Sequence, residues 1–140
     1  MKVLFNVAIA MSLIVVGAFI GSQVAAHGDA AVSVKHLISE IPDDLAGKRI
    51  TMVEVTYPPG SSFQAHQHPG TVLAFVHSGT IRSQLGTDEA PVTYRAGDAW
   101  YEPPGARHVH SDNPSDTESA KIIAILVGDD GAELVQPDIP

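Results

Sequence analysis

The sequence predicts an all-β domain, a small sandwich or barrel of the jelly-roll kind. About nine short apolar or β-branched runs alternate with turn signals at even spacing, the pattern of a compact β-barrel. No stretch has the apolar periodicity of a four-turn amphipathic helix. The 114 residues after an N-terminal apolar segment suit one compact domain and no more.

The N-terminal segment reads as an export signal. Lys2 supplies one positive charge, Val3 to Ile20 carries none, and Val24-Ala25-Ala26 puts small residues at a cleavage site. Cleavage is expected after Ala26, dividing the chain into a signal (1–26) and a single domain (27–140). The alternative is a retained N-terminal anchor, because the apolar run approaches the length of a membrane span. No paired arginines precede the run, so Sec-type export to a periplasmic or secreted location is expected. His27 would then begin the mature chain, in a segment that reads as frayed and not as a copper site.

Charge and cysteine usage narrow the function. Without Lys2, seven Lys plus Arg stand against sixteen Asp plus Glu, a formal charge of −9 on residues 27–140. So acidic a surface repels phosphate backbones and anionic lipid, which argues against nucleic-acid or membrane partners. The chain has no cysteine. Disulfides and thiolate sites are thereby excluded, and any metal must be held by nitrogen and oxygen.

In order, Val32 to Ile38 reads as a strand carrying His36, and Ile41 to Lys48 as a turn around Pro42, Asp43-Asp44 and Gly47. Ile50 to Tyr57 is a strand that stops at Pro58-Pro59-Gly60. Phe63 to His68 is extended, and Pro69 biases His68 away from helical angles. Val72 to Val76 and Thr80 to Leu85, joined through Ser78-Gly79, read as tightly connected antiparallel ribbons. Pro91 to Tyr94, Ala99 to Glu102 and Ala106 to Ser111 are further strands, and Ser111 to Glu118 is a loop. Lys121 to Val127 suits a buried strand, and Leu134-Val135 a short final one. Asp129-Asp130-Gly131 lacks the remaining ligand spacing of a calcium loop and reads as a turn.

Two segments carry the chemistry. His66 and His68 are two residues apart, so in extended backbone both imidazoles project from one face. His108, ending the run Gly97 to His108, is the third candidate. Closure of a barrel would bring these distant segments face to face.

Gly60, five residues, His66-x-His68, with Gly79 eleven residues on, resembles the first motif of the cupin family. Gly97, five residues, Pro103-x-Gly105-x-x-His108 resembles the second. The resemblance covers roughly residues 32 to 136. It implies a small double-stranded β-helix barrel, a metal held inside by residues of both motifs, and frequently a homodimer. It further suggests an oxygen-using, isomerase or lyase enzyme on a small-molecule substrate, with a non-catalytic metal- or small-ligand-binding module as the competing class and a purely structural domain that has lost its metal as a third. Two departures stand out. Val72 and Leu73 occupy the positions where similar proteins usually carry a glutamate. Asp112 stands where the terminal asparagine is expected, with Asn113 one residue later, a change expected to affect only a loop.

Three neutral imidazoles suit Fe, Mn, Cu, Ni or Zn as divalent ions. With no carboxylate at residue 72, the ion would keep its full 2+ charge and act as a stronger Lewis acid. Gln64, two residues before His66, is expected as a polar contact beside the site. A fourth protein ligand is open to Gln64, Glu102 or His110, the first two favoured as polar groups near the site and His110 third, while Glu102 is alternatively expected to fix an imidazole tautomer or to act as a general base. Val72, Ala74 and Val76 should face inward. Leu73, Phe75 and His77 then face out, and the two apolar side chains predict a homodimer interface.

Overall fold

The computed structural model describes residues 31–138. The expected signal segment, its cleavage point and His27 lie outside the described residues. Ten strands follow in order: β1 Ser33–Glu40, β2 Lys48–Tyr57, β3 His66–Gln67, β4 Thr71–Ser78, β5 Thr80–Leu85, β6 Val92–Arg95, β7 Ala99–Glu102, β8 Arg107–Asp112, β9 Ala120–Asp129 and β10 Gln136–Pro137. They form two five-stranded antiparallel sheets, ordered β1-β2-β9-β4-β7 and β10-β3-β8-β5-β6. The expected all-β jelly roll is the observed fold.

Two-residue alternation builds the core. Thr51, Val53, Val55 and Tyr57 of β2, Val72, Ala74 and Val76 of β4, and Ala120, Ile122, Ala124 and Leu126 of β9 are buried on the inner face of the first sheet. Ile81 of β5 meets them from the second sheet. Each fully buried Val, Ile or Leu contributes about 1.5–3 kcal/mol.

β4 and β5 do not form the expected ribbon, because they belong to different sheets. The chain crosses between the sheets at Gly79, whose φ is 75° and where a Cβ would lie 2.7 Å from the Ala120 Cα. The crossing lets Val76 and Ile81, both fully buried, close the core from opposite sides. The ladder that does join neighbours in sequence here is β5 with β6.

Three further expectations change. The final strand forms at Gln136–Pro137, not Leu134-Val135, because Gln136 pairs with Gln67 of β3. Only alternate residues of β9 are buried, which leaves Ile123 and Ile125 on the outer face of the sheet. Asn113 lies in the loop after β8 but is a buried fastener there, so the change reaches beyond the loop itself. Its Nδ2 donates to the carbonyls of Tyr57, Pro58 and Glu118, and its Oδ1 accepts from the Ser115 amide.

Candidate metal centre

The two histidine segments meet because β3 and β8 are neighbours in register, with His66 directly opposite His108. His68 lies just past β3, where its carbonyl accepts a 2.8 Å hydrogen bond from the Gly105 amide. The Pro103-Pro104-Gly105 turn of the second segment therefore holds the end of the first. The ring centroids of His66 and His68 are 4.9 Å apart, as are those of His66 and His108. One ring nitrogen from each residue lies within 4.8 Å of the other two.

Hydrogen bonding orients these rings. His66 Nδ1–H donates to the Gln64 carbonyl at 2.7 Å, and His68 Nδ1–H to the Leu134 carbonyl at 2.6 Å. Each Nε2 is then left as a lone-pair donor, the form a metal requires. His108 Nε2 pairs with Ser83 Oγ at 2.8 Å, while its Nδ1 is buried without a hydrogen-bond partner. Burial pushes the His66 imidazole below its ordinary range and, with His66 and His68 close by, pushes His108 down to about 3. These two rings are neutral near pH 7.

Glu102 approaches from the facing sheet and is only 3% exposed. Its Oε1 accepts from Trp100 Nε1 at 2.8 Å and lies 3.3 Å from His108 Nδ1. Its Oε2 lies 3.7 Å from His68 Nε2 and has no hydrogen-bond partner. Burial raises the carboxyl above its ordinary range, against the lowering effects of Trp100 and His68. Oε2 and His68 Nε2 thus face each other as acceptors with no donor between them, and a cation fits that deficit. Two ligands each about 2.1 Å from one ion are at most about 4.2 Å apart. The cluster needs only a small contraction to grip one.

The site opens on a cavity of about 210 Å³, walled largely by apolar side chains such as Val53, Val55, Phe63, Ile122 and Leu126. His36 lines this cavity from β1. Gln64 does not supply the expected side-chain contact. Its side chain is exposed and only its carbonyl reaches His66, because residues 63–65 are not regular strand and the alternation lapses there. His110 is also drawn away, with Nε2 2.6 Å from Asp112 Oδ1. A register shift at Gln84/Leu85 breaks its alternation with His108. Ser83 and the Leu134 carbonyl were not anticipated. Ser83 could have been found from its two-residue spacing from Ile81 on the inner face of β5, whereas a backbone acceptor 66 residues from His68 leaves no local signal.

A family model described as a cupin domain matches residues 53–126. Among solved structures, the chain is similar to the DMSP lyase DddQ of Ruegeria pomeroyi (TM-score 0.64, 19% identity, 86% of this chain and 58% of that one). It is similar as well to the polyketide cyclase RemF of Streptomyces resistomycificus (TM-score 0.60, 15% identity, 79% and 73% covered). A third is a cupin 2 conserved barrel domain protein of Salinispora arenicola (TM-score 0.53, 26% identity, 68% and 74% covered). The chain therefore spans little more than half of the lyase. Comparison with curated proteins gave no match.

Proposed function

Because the chain belongs to the cupin family, we propose that it is an exported metalloenzyme that converts a small, largely apolar molecule at a divalent transition metal held by His66, His68 and His108. The observation that carries this reading is the convergence of three imidazole nitrogens on the wall of an apolar cavity. A cavity of about 210 Å³ is below the roughly 300–1,000 Å³ of drug-sized pockets, so the substrate is a compact molecule. When bound, the metal would supply Lewis acidity and open positions for substrate or O₂. The protein's part is to keep the His66 and His108 imidazoles neutral, orient the three rings through Gln64, Leu134 and Ser83, and exclude water behind Val53, Val55 and Leu126. The reaction class proposed is dioxygenase-like, with a lyase or isomerase reaction as its sibling. The lyase and the cyclase among the similar folds support enzyme chemistry on this scaffold by analogy alone.

A second reading, a non-catalytic module that binds a metal or small ligand, draws on the scarcity of polar groups lining the cavity apart from the histidines, Tyr57 and Glu102. The two are separated by loading the exported protein with Fe²⁺ and following oxygen consumption and product formation across phenolic, diketone and thiol compounds. Turnover of one compound, lost in His66→Ala, supports the enzyme. Tight binding of a compound that is never altered supports the module.

The protein is further proposed to act as a homodimer. Ladder partners Ile38, Met52, Ile125, Leu73 and Tyr101 form one apolar row across all five strands of the first sheet. Leu73, Phe75 and Tyr101 are each more than 40% exposed. A second copy would cover this row.

A further inference from the structure

We propose that Glu102 is a fourth protein ligand of the metal, supplied from β7 beside a position on β4 that carries valine. The inference rests on the three-histidine reading above and deepens it. In the β4–β7 ladder Val72 stands directly opposite Glu102. Directly opposed residues share a face, with Cβ atoms about 4.5–5.5 Å apart, so either strand can deliver a side chain to nearly the same place. Both positions are buried, at 2% and 3% exposure.

The carboxylate is built for one ligand bond. Trp100 Nε1 occupies Oε1 at 2.8 Å, which fixes the plane of the group. Oε2 is left buried, unpartnered and 3.7 Å from His68 Nε2. Across from Oε1, His108 Nδ1 is likewise unpartnered at 3.3 Å. His68 carries its ring proton on Nδ1, bonded to the Leu134 carbonyl, so Oε2 and His68 Nε2 are two acceptors facing each other, costly in an apolar interior unless a cation or proton lies between them. A single ion between Oε2 and His68 Nε2, held as well by one ring nitrogen each of His66 and His108, satisfies that pair. The sequence expectation of an ion keeping its full 2+ charge then changes, since one carboxylate reduces the net charge of the centre to +1.

The test uses Mn²⁺ alone as probe. Affinity is measured by chelator competition for the unaltered protein, for Glu102→Gln, which keeps an acceptor for Trp100, and for the double variant Val72→Glu with Glu102→Val. A structure of the Mn²⁺-loaded protein locates the ion. The expected result is a glutamate oxygen within about 2.2 Å of the ion. Loss of affinity in Glu102→Gln should exceed the roughly 10–100-fold seen for groups that only orient ligands, with substantial recovery in the double variant. Unchanged affinity in Glu102→Gln, or an ion with both Glu102 oxygens beyond about 3 Å, overturns this inference and leaves the three-histidine site standing. If the unaltered protein takes up no Mn²⁺ or other divalent ion, the underlying reading fails instead. Should Glu102→Gln not fold, the ion-loaded structure decides alone.

Discussion

His66 and His108 are direct cross-strand partners, 42 positions apart in sequence and 4.9 Å apart between ring centroids. Removal of either ring takes away a proposed ligand without disturbing the register, which is held by backbone bonds. His66→Ala and His108→Ala should each lose more than about 100-fold in affinity for divalent metal, beyond the cost of losing an orienting group. Isothermal titration with Zn²⁺ or Mn²⁺ measures this. Affinity within threefold of the unaltered protein would rule the histidines out as ligands.

Ser83 touches His108 Nε2 and reaches the cavity only through that ring. Ser83→Ala should weaken metal binding by about 10–100-fold while leaving one ion per chain at saturation. A fall in stoichiometry in place of affinity would contradict an orienting role.

The metal-free protein should lose stability as the pH falls from about 6.5. His108 titrates at about 3 when folded and near 6.5 when unfolded. Between these values the unfolded chain takes up a proton that the folded chain refuses, so unfolding gains up to about 1.4 kcal/mol per pH unit. His66, also lowered by burial, acts in the same direction. Glu102 acts oppositely, because its raised carboxyl favours the folded state at low pH and loses that contribution as pH rises through the raised value. Urea unfolding of chelator-treated protein at pH 7.5, 6 and 5 should give a declining series. Constant or increasing stability would show that the histidine burial is not as described.

Asn113 makes four hydrogen bonds while 1% exposed, and Asn113→Ala removes all four, leaving the Tyr57 carbonyl buried and unpaired. The expected loss is about 3 kcal/mol, read as a lower denaturation midpoint with the denaturant slope unchanged. A loss below about 1 kcal/mol would mean that water replaces the amide.

The apolar row across the first sheet predicts that Phe75→Glu converts a dimer to a monomer in sedimentation equilibrium, with metal uptake intact. Phe75 is 43% exposed in the single chain, so the change costs little in core packing. A monomeric unaltered protein would remove the dimer proposal.

Most strands were legible because their signals are local. Proline and glycine stops and two-residue alternation marked nearly all of them, and the outward direction of Leu73, Phe75 and His77 followed from the same alternation. Readings that extended alternation through irregular backbone failed, as at Gln64 before the short β3 and at His110 beyond the register shift. The β4–β5 ribbon failed because a tight turn constrains direction but does not say whether the next strand pairs or crosses to the other sheet.

The sequence by itself determined the all-β class, the acidic and thiol-free chemistry, and the three histidines placed two residues apart and at the end of a Pro-Pro-Gly turn. Those are properties of composition and spacing. Only the tertiary structure decided that Ser83 and the Leu134 carbonyl orient two of the rings, that Asn113 is a buried loop residue, and that Glu102 stands where Val72 leaves the β4 position apolar. Each depends on which strands become neighbours, and in a sheet that is set by cross-strand register between segments far apart in the chain.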